Sequence, residues 1–363
     1  MHIPDGYLSP TTCATLYAAA APFWYVALKR VREKLSTRLV PLLSVCAAFS
    51  FVIMMFNIPL PGGTTGHAVG MAVTTIVLGP WASMLAISVA LLIQAIFFGD
   101  GGITTFGANC FNMAIVGSLV SYFVYTTLAG RSPVTSPRRV VAAAVAGYLA
   151  INVAALCAGI EFGIQPMFFH DAAGAPLYAP YSLGIAVPAM LLGHLTFAGL
   201  AEFIIAGGVV AWLQHSNVAL LEATMPTDDL VLGGGWRLTR PFWIGLASLM
   251  IATPLGLLAA GTAWGEWGPE DFEKPEARQE MAVASHNVAP PEKAPSGMER
   301  LTSTWTAPIP DYAPSFLKSA QLGYILSAMI GIGLIIMVGL LGEWMIRLSK
   351  PEGKPRVKAN MVS

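Results

Sequence analysis

Residues 68–98, AVGMAVTTIVLGPWASMLAISVALLIQAIFF, form a long apolar run without a single charged side chain. A membrane helix needs about 17 to 25 predominantly apolar residues, so this run is too long for one crossing. Gly79-Pro80 interrupts it, and proline breaks a helix because it lacks an N–H donor and clashes with the preceding turn. The run therefore predicts two short spans, 68–79 and 80–98.

Further apolar blocks lie on both sides of this pair. They are residues 11–28, 40–57, 109–129, 139–158, 185–213, 241–262 and 321–346. Apolar residues make up 55% of the chain and charged residues only 11%, against roughly a quarter charged in soluble domains. The sequence thus predicts an all-α polytopic membrane protein with nine spans in the lipid bilayer. Its balanced net charge gives no reason to expect binding to nucleic acid.

Basic residues cluster between the apolar blocks, and their placement predicts the orientation of the chain. They are Lys29, Arg30, Arg32, Lys34, Arg38, Arg131, Arg138, Arg139, Arg237, Arg240, Arg347, Lys350, Lys354, Arg356 and Lys358. With nine spans and the N-terminus outside, every cluster falls on the cytoplasmic side, as the positive-inside rule requires. No basic n-region or cleavage site precedes the first span, so Met1 is expected to stay in place. We expect a multi-pass protein of the bacterial cytoplasmic (inner) membrane, with its C-terminus in the cytoplasm.

Composition divides the chain into two parts. Residues 1–215 form a block of seven spans, and 216–240 is a polar linker on the cytoplasmic side. Residues 241–346 supply two spans separated by an outer segment, 263–320, and a cytoplasmic tail, 347–363, follows. The outer segment is rich in Glu, Pro, Ala and Ser, a composition that cannot bury a sizeable core. It is predicted to be a flexible or lightly folded loop.

The first two residues, Met1 and His2, form a candidate metal site together with His67. The terminal amine, the peptide nitrogen of His2 and its imidazole can close fused chelate rings around one divalent ion, and a His67 nitrogen can complete the plane. Four nitrogens in a square favour Ni²⁺ or Cu²⁺ over Zn²⁺, which prefers a tetrahedron. On the predicted topology all three residues face outward. Taken singly, a histidine at position two is usually a solvated terminus, and His67 beside glycines can simply cap a helix.

Other polar residues allow two interpretations each. Asn109 and Asn112 lie three residues apart and share one helical face. They either orient the metal-binding imidazoles by hydrogen bonds or cap the helix. Asp5 and Asp100 are outward and either assist that orientation or are solvated. His194 and Glu202 lie inside a span, where ionisable groups are expensive and functional by default.

His194 and Glu202 form either a relay along a translocation path or a buried interhelical pair. The interhelical pair is the favoured interpretation. The four cysteines lie inside apolar blocks without a Cys-x-x-Cys pair, which indicates neither a zinc nor a redox motif.

Three stretches carry a resemblance to one family. They are MHIPDGYLSP at 1–10, the Gly66-His67 turn and GGITTFGANCFNM at 101–113. They resemble the substrate-capture subunit of cobalt/nickel energy-coupling-factor (ECF) transporters, the CbiM/NikM type, over about residues 1–215. The tail, with WGPEDFE at 267–273 and PDYAP at 310–314, resembles the two-span accessory subunit, fused as in NikMN-type proteins. Its acidic motif reads Pro-Glu-Asp-Phe-Glu where that family usually has Pro-Asp-Gly-Leu-Glu.

The resemblance implies a seven-helix ECF S-component bundle plus two helices. It implies import of Ni²⁺, bound by the Met1 amine, the His2 amide and imidazole nitrogens and a His67 nitrogen. Co²⁺ supply to cobalamin synthesis is the alternative. The implied partners are a transmembrane coupling (T) subunit and cytoplasmic ATPase subunits.

The sequence has no Gly-x-x-x-x-Gly-Lys-Ser/Thr phosphate loop, so ATP hydrolysis is expected on those partners. It also lacks His-Glu-x-x-His and Gly-x-Ser-x-Gly motifs, which argues against a membrane enzyme. No catalytic cofactor is expected. A stand-alone metal channel or secondary carrier is the remaining class, and metal uptake without an ATPase partner would distinguish it.

Overall fold

The computed structural model describes residues 1–34, 39–222, 235–259 and 261–349. Residues 223–234 of the predicted linker 216–240 and residues 350–363 of the predicted tail 347–363 lie outside these residues, so the linker and the tail stay predictions. Helices dominate the described chain. They are α1 (Pro10–Lys34), α2 (Leu39–Met54), α3 (Met71–Leu78), α4 (Pro80–Ile93), α5 (Phe106–Asn109), α6 (Gly117–Ala129), α7 (Pro137–Gly163), α8 (Gln165–Phe168), α9 (Leu183–Gly193), α10 (Gly199–Ser216), α11 (Ala219–Glu222), α12 (Gly235–Ala252), α13 (Pro275–Ala284), α14 (Ser296–Thr302) and α15 (Ala320–Ser349).

Shorter elements join or extend these helices. Strands β1 (Ile58–Pro59) and β2 (Thr65–Gly66) pair antiparallel, so that β2 ends directly before His67. π-helical turns at Gln94–Phe98, Cys110–Val116 and His194–Ala198 continue α4, α5 and α9, and 3₁₀ turns form at Thr253–Leu258, Pro269–Phe272 and Pro310–Tyr312.

The predicted fold class, an all-helical polytopic membrane protein, is confirmed. Each of the nine predicted spans contains helix. In the described ranges, six helical stretches are long and apolar enough to cross a bilayer. They are Pro80–Phe98, Phe106–Ala129, Pro137–Phe168, Leu183–Ser216, Arg240–Leu258 and Ala320–Met345.

The third predicted span, 68–79, contains a helix, α3, of only eight residues. At 1.5 Å per residue it is about 12 Å long, against a hydrocarbon core of about 30 Å. Its ends are set by two glycines with positive φ, Gly70 at 77° and Gly79 at 78°, which place the chain in conformations that β-carbons disfavour. α3 is therefore a half-length helix. Its C-terminal end still lies at the end of the bundle opposite His67, because Trp81, two residues after Gly79, packs against the Arg30 guanidinium near the end of α1.

The helices run between two ends of the bundle. We call one the capture end. It contains residues 1–9, 55–70, 97–105, 162–182 and 261–319. Its segments are joined by main-chain hydrogen bonds from Gly102 to Ile3, from Ala179 to Tyr7 and from Ile309 to Phe97. The basic residues Arg131, Arg138 and Arg139 lie near the turn between α6 and α7, at the opposite end. This places them as the topology prediction requires, although the membrane side of each end stays a prediction.

The outer segment is more ordered than its composition predicts. It contains α13, α14 and two 3₁₀ turns, and it buries aromatic side chains at Trp264, Trp267 and Phe272. The segment does not form a core of its own. Instead, its aromatic residues pack on the capture end, as Trp264 does edge-on against Phe162. Of the two alternatives predicted for the segment, a flexible or a lightly folded loop, the described structure agrees with the second, because the segment buries its aromatic side chains against other parts of the chain.

Close packing of α15 against α2 attaches the second part of the chain to the first. Gly331 faces the ring of Phe51, and Gly339 faces Ser44, with no room for a β-carbon at either glycine. Small residues allow helix backbones to approach in this way, which matters in lipid because helix association there depends on packing.

We expect Gly331→Leu to lower the free energy of unfolding by about 1 to 3 kcal/mol, because the new side chain overlaps the Phe51 ring. The measurement is thermal unfolding of purified protein in detergent. Gly333→Leu is the matched control, since open space surrounds a β-carbon there. Equal stability of the two variants would contradict the packing described for α15.

Candidate metal centre

The first nine residues lie buried across the capture end before α1 begins. The exposed fractions are 3% for Met1, 1% for His2 and 0% for Ile3. Asn109 holds the main chain of Ile3 from both sides: its Oδ1 accepts from the Ile3 N–H at 2.8 Å, and its Nδ2 donates to the Ile3 carbonyl at 3.0 Å. The side chain therefore fixes the residue that follows His2.

Asp5 provides a second attachment for the N-terminal segment. Its carboxylate accepts the N–H of Ile103 at 3.1 Å and that of Thr104 at 2.7 Å, and it also binds the Thr104 hydroxyl. Gly102 makes this approach possible, because a β-carbon there would overlap Asp5. The GGITTFG stretch is thus a receptor for the N-terminal segment.

His2 and His67 meet at the centre of this arrangement. The Nδ1 atom of His2 lies 3.2 Å from the Nε2 atom of His67. His67 Nδ1 lies 3.0 Å from the Ala68 carbonyl, and a carbonyl can only accept, so the geometry assigns the proton to Nδ1. This leaves a lone pair on His67 Nε2, directed at His2.

His67 is held in its neutral form. Burial lowers its pKa well below the usual value, and the nearby charges of His2 and the terminal amine lower it further. A neutral imidazole is the form that binds metal ions.

Two carboxylates flank the nitrogen atoms. Asp100 Oδ1 lies 2.7 Å from His2 Nδ1, and Glu266 Oε1 lies 3.3 Å from the Met1 amine. Burial alone would raise the Asp100 pKa, but the charge and hydrogen bond of His2 hold it well below the usual range. Burial raises the pKa of Glu266, and the charge of the amine opposes this only in part. Each carboxylate contacts a different nitrogen of the first two residues.

Sequence reasoning missed Glu266 and the partners of Asp100. Asp100 Oδ2 accepts from the Tyr312 hydroxyl at 2.6 Å and from Gln94 Nε2 at 3.1 Å. Glu266 and Tyr312 both belong to the outer segment. A usable signal was the aromatic density around them, Trp264, Trp267 and Tyr312, in a segment otherwise rich in Glu, Pro, Ala and Ser.

Asn112 takes a partner away from the histidines. Its Nδ2 donates to Glu161 Oε2 at 2.8 Å. Asn109 and Asp5 bind main-chain groups of the neighbouring segments rather than an imidazole. Asn109 and Asp5 therefore fix the N-terminal segment that carries His2, whereas Asn112 contacts Glu161 and neither histidine.

His194 and Glu202, expected as a pair, contact different groups. Glu202 is fully buried, and its Oε2 accepts the N–H groups of Val69 at 2.8 Å and Gly70 at 2.9 Å. His194 Nδ1 lies 2.7 Å from the Met190 carbonyl of its own helical turn. Free N–H groups at the start of α3 are strong partners for a carboxylate. Glu202 consequently fixes the segment that carries His67.

The comparisons with known proteins agree with this architecture. A family model described as the cobalt uptake substrate-specific transmembrane region, CbiM, matches residues 2–220. The chain belongs to the CbiM family. A second family model, described as the PDGLE domain, matches residues 240–348 of this CbiM family member.

Relatives extend the likeness to both parts of the chain. The fused nickel transport protein NikMN of Rhodobacter capsulatus is 56% identical over 93% of this chain and 95% of its own length. The probable fused nickel transport protein LarMN of Lactiplantibacillus plantarum is 42% identical over 93% and 96%. A crystal structure described as a transition metal transporter has a TM-score of 0.56 and 48% identity, covering 59% of this chain and 92% of that one.

We expect Asp5→Asn to loosen the N-terminal segment, because the amide keeps one acceptor oxygen but turns an NH₂ group toward one of the two main-chain N–H donors. Losing charge-assisted bonds of this kind costs about 1.5 to 3 kcal/mol each. Hydrogen exchange at the amides of Ile103 and Thr104 should become faster.

Asp171→Asn is the matched control, since Asp171 also accepts two main-chain N–H groups, but within its own loop. It should leave exchange at Ile103 and Thr104 unchanged. Unchanged exchange in Asp5→Asn as well would show that Asp5 does not hold the segment.

Proposed function

We propose that this protein is the substrate-specific component of an ECF-type ABC importer for a divalent transition metal, Ni²⁺. The ion is captured by the Met1 amine, the amide nitrogen of His2, His2 Nδ1 and His67 Nε2. The observation that carries the proposal is the meeting of His2 Nδ1 and His67 Nε2 beside a buried terminal amine.

The distance between the two imidazole nitrogens supports this ligand set. Metal–nitrogen bonds are about 2.0 Å long, so neighbouring nitrogens in a square lie about 2.8 Å apart. The present separation of 3.2 Å differs from that by only a few tenths of an ångström. A separation of this size is compatible with both nitrogens binding one ion.

Main-chain nitrogens are needed to complete the set. Among residues 1–34, 39–222, 235–259 and 261–349, no group of three His, Cys, Asp or Glu side chains is arranged to hold a metal. The amine of Met1 and the amide nitrogen of His2 lie next to each other in the chain and close to the His2 imidazole in covalent structure, so the three can close two fused chelate rings around one ion. A planar set of four nitrogens suits Ni²⁺.

Nickel is favoured over cobalt by the relatives that match both parts of the chain. NikMN and LarMN, which cover 93% of it, are named nickel transport proteins. The cobalt transport protein CbiM of Thermosipho melanesiensis is 40% identical, but over only 35% of this chain and 55% of its own length. Co²⁺ accepts the same nitrogen ligands and is the second candidate.

Transport requires partners in this proposal. The capture end faces outward, because the basic residues lie at the opposite end and basic loops are retained in the cytoplasm. A transmembrane coupling subunit and cytoplasmic ATPases supply the energy. Metal uptake by cells that carry this chain without any ATPase partner would instead establish a stand-alone channel or carrier.

The test of the site compares protein that begins at the native Met1 with protein carrying a Gly-Ser extension ahead of it. The extension removes the free amine from its position, so the chelate rings cannot close. We expect the native chain to bind one Ni²⁺ with the visible absorption of a planar nitrogen site, and the extended chain to lose that absorption and most of its affinity.

His67→Ala and His170→Ala form the accompanying pair of variants. His170 is an exposed loop histidine, so its removal should leave Ni²⁺ binding unchanged, while His67→Ala should abolish the planar spectrum. Equal binding by native and extended protein would exclude the terminal amine as a ligand. Parallel titrations with Co²⁺ identify the better substrate.

Nickel affinity should fall as the pH drops, because the ion displaces protons from the Met1 amine and the His2 amide. His67 contributes little to this dependence near neutral pH, since its lowered pKa keeps the imidazole neutral well below the usual titration range. Calorimetric titrations in buffers with different heats of ionisation measure the protons released. Binding without proton release at neutral pH would contradict the proposed ligands.

A further inference from the structure

The outer segment of the second domain packs directly on the N-terminal segment. The Tyr7 hydroxyl donates to the Trp267 carbonyl at 2.8 Å, and the Thr302 hydroxyl donates to the Asp5 carbonyl at 3.2 Å. Gly6 lies so near the Met298 carbonyl that a β-carbon would approach it to 2.6 Å. Residues 5–7 are therefore enclosed by a part of the chain that follows them by more than 250 positions.

The turn that carries Glu266 is fixed against both segments that hold the nitrogen atoms. Ala263 forms a bridge with Thr65, two residues before His67. The Glu266 N–H donates to the Ala263 carbonyl at 3.0 Å, closing the turn. Gly265, at φ 81°, packs against the Phe162 ring. A β-carbon at this position would lie only 2.8 Å from the nearest ring carbon, so there is no room for a side chain. Packing thus determines where the Glu266 carboxylate lies.

That position is beside the Met1 amine. The Glu266 side chain is 24% exposed, and the Met1 side chain is 0% exposed. A charged amine is costly to bury without a partner, and the described residues offer it the Glu266 oxygen at 3.3 Å. The contact joins a nitrogen of the first domain to a carboxylate of the second.

A bound ion would have the same need for compensation. A divalent ion that displaces one amide proton leaves one net positive charge in a buried site, and a charge in low dielectric is strongly unfavourable unless an opposite charge lies near. Asp100 from the first domain lies on the His2 side of the site. Glu266 occupies the corresponding place on the Met1 side.

We propose that Glu266 is a positioning residue of the metal site, so that the complete site is built from both domains of the chain. Its carboxylate orients the Met1 amine and compensates the charge of the bound ion. This inference rests on the proposed function, because it assigns Glu266 to a site in which Met1 is a ligand.

The test uses the full chain with its native Met1 and the variants Glu266→Gln, Glu266→Asp and Glu280→Gln. Glu266→Gln removes the charge at nearly constant shape. Glu266→Asp keeps the charge but shortens its reach, and Glu280→Gln removes an exposed carboxylate from α13 of the same segment. Two quantities are measured: the affinity for Ni²⁺, and the rate at which an amine-reactive ester labels the Met1 amine in metal-free protein.

We expect Glu266→Gln to weaken Ni²⁺ binding about tenfold, the effect typical of residues that hold a metal ligand in place. Stoichiometry and planar absorption should be retained, Glu266→Asp should be intermediate and Glu280→Gln should match the native chain. Labelling of the Met1 amine should become faster in Glu266→Gln and stay unchanged in Glu280→Gln. A purely structural role would change thermal stability without this selective effect on the amine.

The outcomes separate this inference from the proposed function. If the native chain binds Ni²⁺ through its amine and Glu266→Gln binds equally well, Glu266 is not a positioning residue and the capture site stands. If the native chain binds no metal, the proposed function falls, and the role of Glu266 in a metal site falls with it.

Discussion

The buried chain terminus is the constraint on which the rest of the capture end depends. A terminal amine normally stays in water because its charge is costly to bury. Here Met1 and His2 lie under 5% exposed, so each polar group near them needs a partner. Asn109 binds the Ile3 main chain, Asp5 binds the 103–104 amides, and Glu266 meets the amine. These contacts turn a flexible chain end into a fixed element.

The position of His67 depends on a different carboxylate. Glu202 lies on α10, yet it accepts the N–H groups of Val69 and Gly70, so the segment behind His67 is attached to a helix remote in sequence. A displacement of α10 would therefore be transmitted to the imidazole through two hydrogen bonds. The half-length helix α3 contributes to this arrangement, because its N-terminus lies inside the protein, where its free N–H groups need an acceptor.

Much of the fold could be predicted from the sequence, because apolar blocks and basic clusters report directly on the bilayer. The meeting of His2 and His67 could also be predicted, since the topology places both at one end, although their role as metal ligands stays a prediction. The length of α3 could not be predicted, because hydropathy carries no information on the backbone conformation of Gly70. Glu266 was equally hidden, because its place between Trp264 and Trp267 indicates a buried turn but does not say which group its carboxylate contacts. Only the packing of Trp264 and Gly265 selects it.

The contact between Met1 and Glu266 has a consequence for biosynthesis. Because 265 positions separate the two residues, the first residue to leave the ribosome cannot reach its final partner until most of the chain has been made and inserted. Long-range contacts of this kind form late in folding. Assembly of the capture end is then complete only when both parts of the protein are in place, and in a product truncated before Glu266 the Met1 amine lacks its carboxylate partner.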